Sequence, residues 1–224
     1  MTPPSPPATP SRLIVCAHRH GNDPSLLKEA EAVGVDLVEV DIHLFHNELD
    51  ARHEKTVGPL PLVWDRRQWP AWNPPRQRLD RMLDSAQAGT ALYVDLKGWT
   101  RRLSRHVIAA LALRPGYVVS ARAWWLLPPF RALDNVRVLR SIGARWQLRA
   151  FRLTRRRNAA PGGVSIRSDL LTAEVVTELK ARADVVFAWR VSSYAHAREL
   201  ELWGVDGVIV DSLDLARELL DREQ

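Results

Sequence analysis

The chain holds one cysteine, Cys16, in 224 residues, so no internal disulfide can form. Cys16 sits in the apolar run Leu13-Ile14-Val15-Cys16-Ala17 and reads as a buried strand residue, not a reactive thiol. No stretch approaches the ~18 consecutive apolar residues that a bilayer span requires. The first eleven residues, Met1 to Ser11, lack both a basic start and an apolar h-region, so they do not form a secretory signal. Their Pro, Ser and Thr content predicts a disordered tail, and a cytoplasmic location is the expectation that follows. Low-complexity sequence is otherwise missing, and there is no internal repeat. Acidic residues are outnumbered, 26 against 32 basic, for a net charge of +6 and a pI near 10.1. That sign suits an anionic substrate or nucleic acid. The basic residues are nearly all arginine and are spread along the chain. The densest run, Arg152 to Arg157, reads as a solvated loop, and a nucleic-acid partner is not expected.

What is present is regular alternation. Residues 12–224 are long enough for one sizeable core, and a single domain is expected. Apolar runs at Leu13–Ala17, Val35–His43, Ala91–Lys97, Tyr117–Ser120, Val136–Ile142, Gly163–Ile166, Val185–Val191 and Gly207–Val210 read as strands. Amphipathic segments follow them at Pro24–Val33, Arg101–Leu113, Ala123–Leu133, from Ala144, from Thr172, at Tyr194–Trp203 and at Ser212–Leu220. Asp23 is placed to cap the first helix, with Pro24 at its first position, and Thr172 to cap a later one. Eight strand–helix units in series predict an α/β fold, a (β/α)₈ barrel of the TIM type with lean connections. The segment from Glu54 to about Pro75, with Trp64, Trp69, Trp72 and five prolines, has no clear period and reads as a short loop over one face.

Such a barrel places chemistry at the C-terminal ends of its strands. The first strand ends in Ala17-His18-Arg19, the second in Glu39-Val40-Asp41, the third in Asp95-Leu96-Lys97. Alternation turns Glu39 and Asp41 to one face, about 7 Å apart along the strand. Facing inward, two carboxylates would raise a pKa or be held ionised by a cation. With Asp95 they make an oxygen-donor set for Mg²⁺ or Ca²⁺. Spacing alone leaves a second reading open, an outward surface pair. His18 and His53 titrate in the range of an acid–base pair. His43, His46, His106 and His196 read as ordinary core or surface residues, whereas His20 adjoins the candidate site.

Taken together these residues resemble the glycerophosphodiester phosphodiesterase family of the phospholipase C-like phosphodiesterase barrels. The family's His-Arg-Gly looks like His18-Arg19-His20-Gly21, and its Gly-Ala-Asp-x-Ile-Glu-x-Asp like Gly34-Val35-Asp36-Leu37-Val38-Glu39-Val40-Asp41. Its His-Asp pair matches His53-Glu54, its Glu-x-Lys Asp95-Leu96-Lys97, and its Trp-x-Val Trp189-Arg190-Val191. Its Gly-Val-Asp-Gly-Ile-x-x-Asp matches Gly204-Val205-Asp206-Gly207-Val208-Ile209-Val210-Asp211. The resemblance implies metal-dependent hydrolysis of a glycerophosphodiester to an alcohol and glycerol 3-phosphate. It implies a divalent cation, Mg²⁺ or Ca²⁺, on Glu39, Asp41 and Asp95, phosphate on Arg19 and Lys97, and Trp189 along the pocket wall. His18 and His53 would exchange protons with the attacking and leaving oxygens, directly with water or through a cyclic phosphate. The sequence departs from the pattern at His20, where glycine is usual, and at Asn22-Asp23-Pro24-Ser25, which replaces Pro-Glu-Asn. Asp95 is one methylene short, Asp50 and Arg52 precede His53 where apolar residues are usual, and the insertion after the second strand is cut down. Two other readings stand beside this one: a phospholipase-like enzyme on lipid headgroups, with peripheral membrane contact through the Trp-rich segment, and a non-catalytic basic binding protein on the same barrel.

Overall fold

A computed structural model of the chain describes residues 12–56, 60, 62–64, 71–72, 75–154 and 162–221. The tail expected over 1–11, Trp69 and the basic run beyond Arg152 lie outside them. Eight parallel strands close on themselves: β1 (Ile14–Ala17), β2 (Leu37–Phe45), then β7 (Leu92–Leu96), β8 (Tyr117–Ala121), β9 (Val136–Ile142), β10 (Gly163–Arg167), β11 (Val186–Val191) and β12 (Gly207–Val210). β12 returns to β1 with Ile14 opposite Gly207 and Ala17 opposite Val210, and β1 meets β2 at only two residue pairs, Cys16–Leu37 and Ala17–Val38. This is a (β/α)₈ barrel.

Helices α1 (Pro24–Val33), α2 (Leu79–Ser85), α3 (Arg101–Ala110), α4 (Arg145–Leu153), α5 (Ala173–Lys180), α6 (Tyr194–Leu202) and α7 (Leu213–Asp221) accompany the strands. Their starts are written locally. Asp23 accepts hydrogen bonds from the amides of Ser25 and Leu26, and Thr172 from Val175, as the sequence predicts; Ser193 caps α6 in the same way. Gly34 ends α1 at φ 77°, a left-handed turn that glycine enters without strain.

Strand alternation divides the apolar residues. One set, including Val40, Val94, Val119, Ile166, Ala188 and Val208, packs outward against the helices. The other fills the barrel: Cys16, Leu37, Tyr93, Val118, Leu139, Val185, Phe187 and Ile209. β10 contributes only Gly163 to this level, because a Cβ there would run into Leu139 and Val185, with the carbonyl oxygen of Val185 2.6 Å away. Cys16 is fully buried in this layer, as expected.

Three expectations are corrected. After β8, the segment Ala123–Leu133 forms two 3₁₀ turns, Trp124–Leu126 and Pro128–Ala132, instead of an α-helix. Pro128 and Pro129 lack the amide hydrogens an α-helix would use. β2 runs beyond the barrel and turns through His46 and Asn47, both at positive φ, into β3 (Glu48–Ala51), making a hairpin. The Trp/Pro-rich segment is not wholly irregular: β4 (Lys55–Thr56), β5 (Leu62–Trp64) and β6 (Ala71–Trp72) form a small antiparallel sheet. Helix α2 after it had no counterpart in the sequence reading.

Candidate active site

The inward-facing level above the apolar plug is polar on every strand that matters. Counting along β2 from Leu37, residues 39 and 41 point in, so the surface-pair reading of Glu39 and Asp41 is excluded: both are buried. Asp95 stands beside Asp41 in the β2–β7 register and is buried too. One ligand atom from each of Glu39, Asp41 and Asp95 lies within 4.8 Å of the others. Glu39 Oε2 is buried and accepts no hydrogen bond, whereas Asp41 Oδ1, also buried, faces the Lys97 ammonium. Three convergent carboxylates, one with an uncommitted oxygen, fit a hard divalent cation.

The cationic groups follow from the same alternation. Lys97 Nζ is 2.9 Å from Asp41 Oδ1 and also pairs with Asp95. Burial pushes the ammonium pKa down, but Asp41, Asp95 and Glu39 together carry it above its ordinary value, so Lys97 stays charged. Arg19 sits at φ 60°, a left-handed conformation that a non-glycine residue adopts at a cost. Its Nε is 3.6 Å from Asp41 Oδ2. Asn22, in the segment that departs from the family pattern, donates to Asp41 Oδ2 at 3.0 Å and accepts from the Asp41 amide at 2.8 Å. Ser120 donates to Asp95 Oδ1 at 2.8 Å.

His18 touches two carboxylates. It donates through Nδ1 to Asp211, while Nε2 is 3.5 Å from Glu39 Oε2. Burial lowers its pKa, and Glu39 and then Asp211 more than reverse this, so the imidazole is more basic than usual. Burial, opposed by His18 and aided by Asp41, raises Glu39 to about 7. Asp41 is buried as well, yet Lys97 and then His53 hold it below the ordinary carboxylate range. His53 thus bears on Asp41, while His18 bears on Glu39.

The residues flagged as neighbours separate clearly. His20 is buried and donates through Nδ1 to the carbonyl of His18 at 2.8 Å, fixing the turn that carries His18 and Arg19. Gly21 lets that turn lie against β2: a Cβ there would come within 2.9 Å of the Glu39 carbonyl oxygen. His43, read as an ordinary residue, is on the inward face beyond Asp41. Burial, with the Arg52 guanidinium, drops its pKa to about 3, so it is neutral. Asp50 and Arg52 belong to a buried ion network: Asp50 accepts from Arg76 Nη2 at 2.6 Å and from Arg52 Nε at 3.2 Å, and Arg76 reaches Glu48 at 3.1 Å. Trp189 faces inward from β11, where the pairing with β12 bulges between Trp189 and Val191 and Arg190 takes φ 64°. The Arg122 guanidinium lies 5.3 Å from the centre of its ring, in space that Gly143 leaves open.

Asp211, Asn22 and Ser120 were missed as site residues. Asp211 closes the last matched motif, and that position was the available signal. Asn22 and Ser120 have no signal apart from the fold.

No protein-family model matches the chain, and no curated protein matches it. Solved structures do. A phosphodiesterase from Oleispira antarctica, in complex with the product sn-glycerol-3-phosphate, superposes with a TM-score of 0.72 at 19% identity, over 92% of this chain and 96% of that one. A glycerophosphodiester phosphodiesterase from Parabacteroides distasonis gives 0.70 at 19% identity, over 95% and 99%. One from Thermotoga maritima gives 0.68 at 17% identity, over 93% and 98%. The chain shares their fold over nearly its whole length.

Proposed function

We propose that this chain is a member of the glycerophosphodiester phosphodiesterase family, hydrolysing a glycerophosphodiester to an alcohol and glycerol 3-phosphate. The observation that carries the reading is the convergence of Glu39, Asp41 and Asp95, with His18 beside Glu39, in a barrel shared with enzymes of that name. A neighbour of the same fold binds glycerol 3-phosphate.

In this reading the three carboxylates hold Mg²⁺ or Ca²⁺, which when bound supplies Lewis acidity toward a phosphoryl oxygen. The protein's own residues do the rest. Arg19 and Lys97 draw the phosphate toward the carboxylates and compensate its charge. One of His18 and His53 takes the proton of the attacking oxygen, and the other gives a proton to the departing alcohol oxygen, so the phosphorus–oxygen bond breaks without releasing an alkoxide. Asp211 keeps His18 in one tautomer, with Nε2 toward the reacting centre. Trp189, with Arg122 over it, forms a wall of the pocket.

The test is release of glycerol 3-phosphate from a panel of glycerophosphodiesters with Mg²⁺ or Ca²⁺. Turnover abolished by chelator and by Glu39→Ala with Asp41→Ala is the expected result. No release from any diester with any divalent ion, or full activity in that double variant, would refute the reading.

A further inference from the structure

Tryptophan is the residue least expected on a bare surface, and this chain has nine. Among the described residues, Trp99, Trp72, Trp146, Trp125 and Trp64 are exposed, at 80%, 68%, 68%, 43% and 39%. Their positions are not scattered. Trp99 is in the connection after β7, Trp125 in the turns after β8, Trp146 at the start of the helix after β9, and Trp64 and Trp72 in the small sheet of the connection after β2. Each connection leaves the C-terminal end of a barrel strand, the end that carries the candidate site. Three exposed leucines mark the opposite face: Leu113 shortly after α3, and Leu153 and Leu202 as the last residues of α4 and α6.

The tryptophans are held in place rather than trailing. Trp99 and Trp125 pack ring to ring at 5.2 Å, and Trp125 Nε1 donates to the carbonyl of Trp99 at 3.2 Å. In the small sheet Trp64 pairs with Lys55 and Leu62 with Trp72, and alternation puts Trp64, Leu62, Trp72 and Lys55 on one face. Exposed cations stand among them: Arg101 and Arg102 after Trp99, Arg145 before Trp146, and Lys55.

We infer that the mouth of the barrel docks on an anionic phospholipid surface, with these five indoles entering the headgroup region and the arginines beside them pairing with lipid phosphate. An indole has an apolar body and a polar N–H, which suits the boundary between headgroups and acyl chains. Basic side chains near an anionic leaflet add electrostatic attraction. The net charge of +6 has the complementary sign. A nucleic acid also stacks on aromatics, but it would follow a continuous cationic groove. Here the tryptophan-bearing connections leave β2, β7, β8 and β9, and the first two of these strands carry Glu39, Asp41 and Asp95, so a strand crossing the mouth would pass over carboxylates. A membrane touches the rim alone.

The experiment is co-sedimentation of the full chain, in chelator, with phosphatidylcholine vesicles and with phosphatidylcholine–phosphatidylglycerol vesicles. Binding to the anionic vesicles, weakened by salt, is expected. Trp99→Ala with Trp125→Ala, and separately Trp146→Ala, should weaken it roughly tenfold or more, while Leu153→Ala with Leu202→Ala on the opposite face should not. Circular dichroism checks that each variant is folded. In the unaltered chain, brominated lipids should quench tryptophan emission. Failure of the intact chain to sediment, equal binding by a folded triple tryptophan variant, or capture of a single-stranded oligonucleotide with vesicles left unbound would each overturn the inference. Because no turnover is measured, these outcomes are independent of whether the chain hydrolyses a diester.

Discussion

His18 presents one ring nitrogen to Asp211 and the other to Glu39, so a single imidazole links the last barrel strand to the carboxylate cluster. A carboxylate on Nδ1 fixes tautomer and ring orientation. Asp211→Ala is therefore expected to lower kcat by about 10–100-fold while KM changes little. It should also shift the kinetic pKa of His18 downward, because Asp211 is one of the two carboxylates that raise it. Steady-state kinetics across pH would show both effects, and an unchanged pH profile would mean that Asp211 does not act through His18.

The metal-free protein should lose stability as pH rises through neutrality. Glu39 is held at about 7 against an ordinary 4.5, so between those values the folded chain keeps a proton that the unfolded chain has released, and folding weakens as pH increases. His18 acts in the same direction, since its raised pKa gives stability that is lost as pH climbs past it. Thermal melts in chelator should give a higher Tm near pH 5 than near pH 8. Glu39→Gln should flatten that slope and eliminate turnover. Added Mg²⁺ or Ca²⁺ should raise Tm more at the alkaline end, where the carboxylates are free to bind it.

The ion network under the hairpin offers a separate stability test. Asp50 is fully buried and accepts from both Arg76 and Arg52. Asp50→Ala removes the carboxylate that both guanidiniums share and should cost about 3 kcal/mol in denaturant titration. Glu48, partly exposed, pairs with Arg76 and Arg78, and Glu48→Ala should leave Tm nearly unchanged. Equal effects from the two substitutions would count against the network as described.

Gly163 keeps the barrel interior open where Leu139 and Val185 meet. Gly163→Ala forces one of these neighbours to move and should destabilise by about 1–3 kcal/mol. Gly89→Ala, where a Cβ meets nothing within 4 Å, is the matched control.

Much of this was readable in the sequence because the signals are local. Strand runs, the Asp23 and Thr172 caps, and the Glu39–Asp41 alternation each depend on neighbours within a few residues. The remainder depends on closure. Asp50 finds Arg76 across 26 positions, and Asn22 finds Asp41 across 19. No periodicity encodes such pairs. The inward placement of His43 has a related origin: β2 continues past the last motif residue into a hairpin that the apolar pattern does not mark. Pro128 and Pro129 are a local signal against an α-helix over Ala123–Leu133, although the segment is apolar and of helical length.

The seam where β1 closes the barrel has a consequence for biosynthesis. The strand that delivers His18 gains its more extensive pairing, with β12, only at residues 207–210. Until that final strand has left the ribosome, the first strand has two residue pairs with β2 to hold it, and His18 has no Asp211. A nascent chain halted between residues 97 and 211 therefore carries every proposed metal-binding carboxylate and both arms of the proposed phosphate clamp, yet lacks the Asp211 that orients His18. Orientation of His18 thus waits on the same event that closes the barrel.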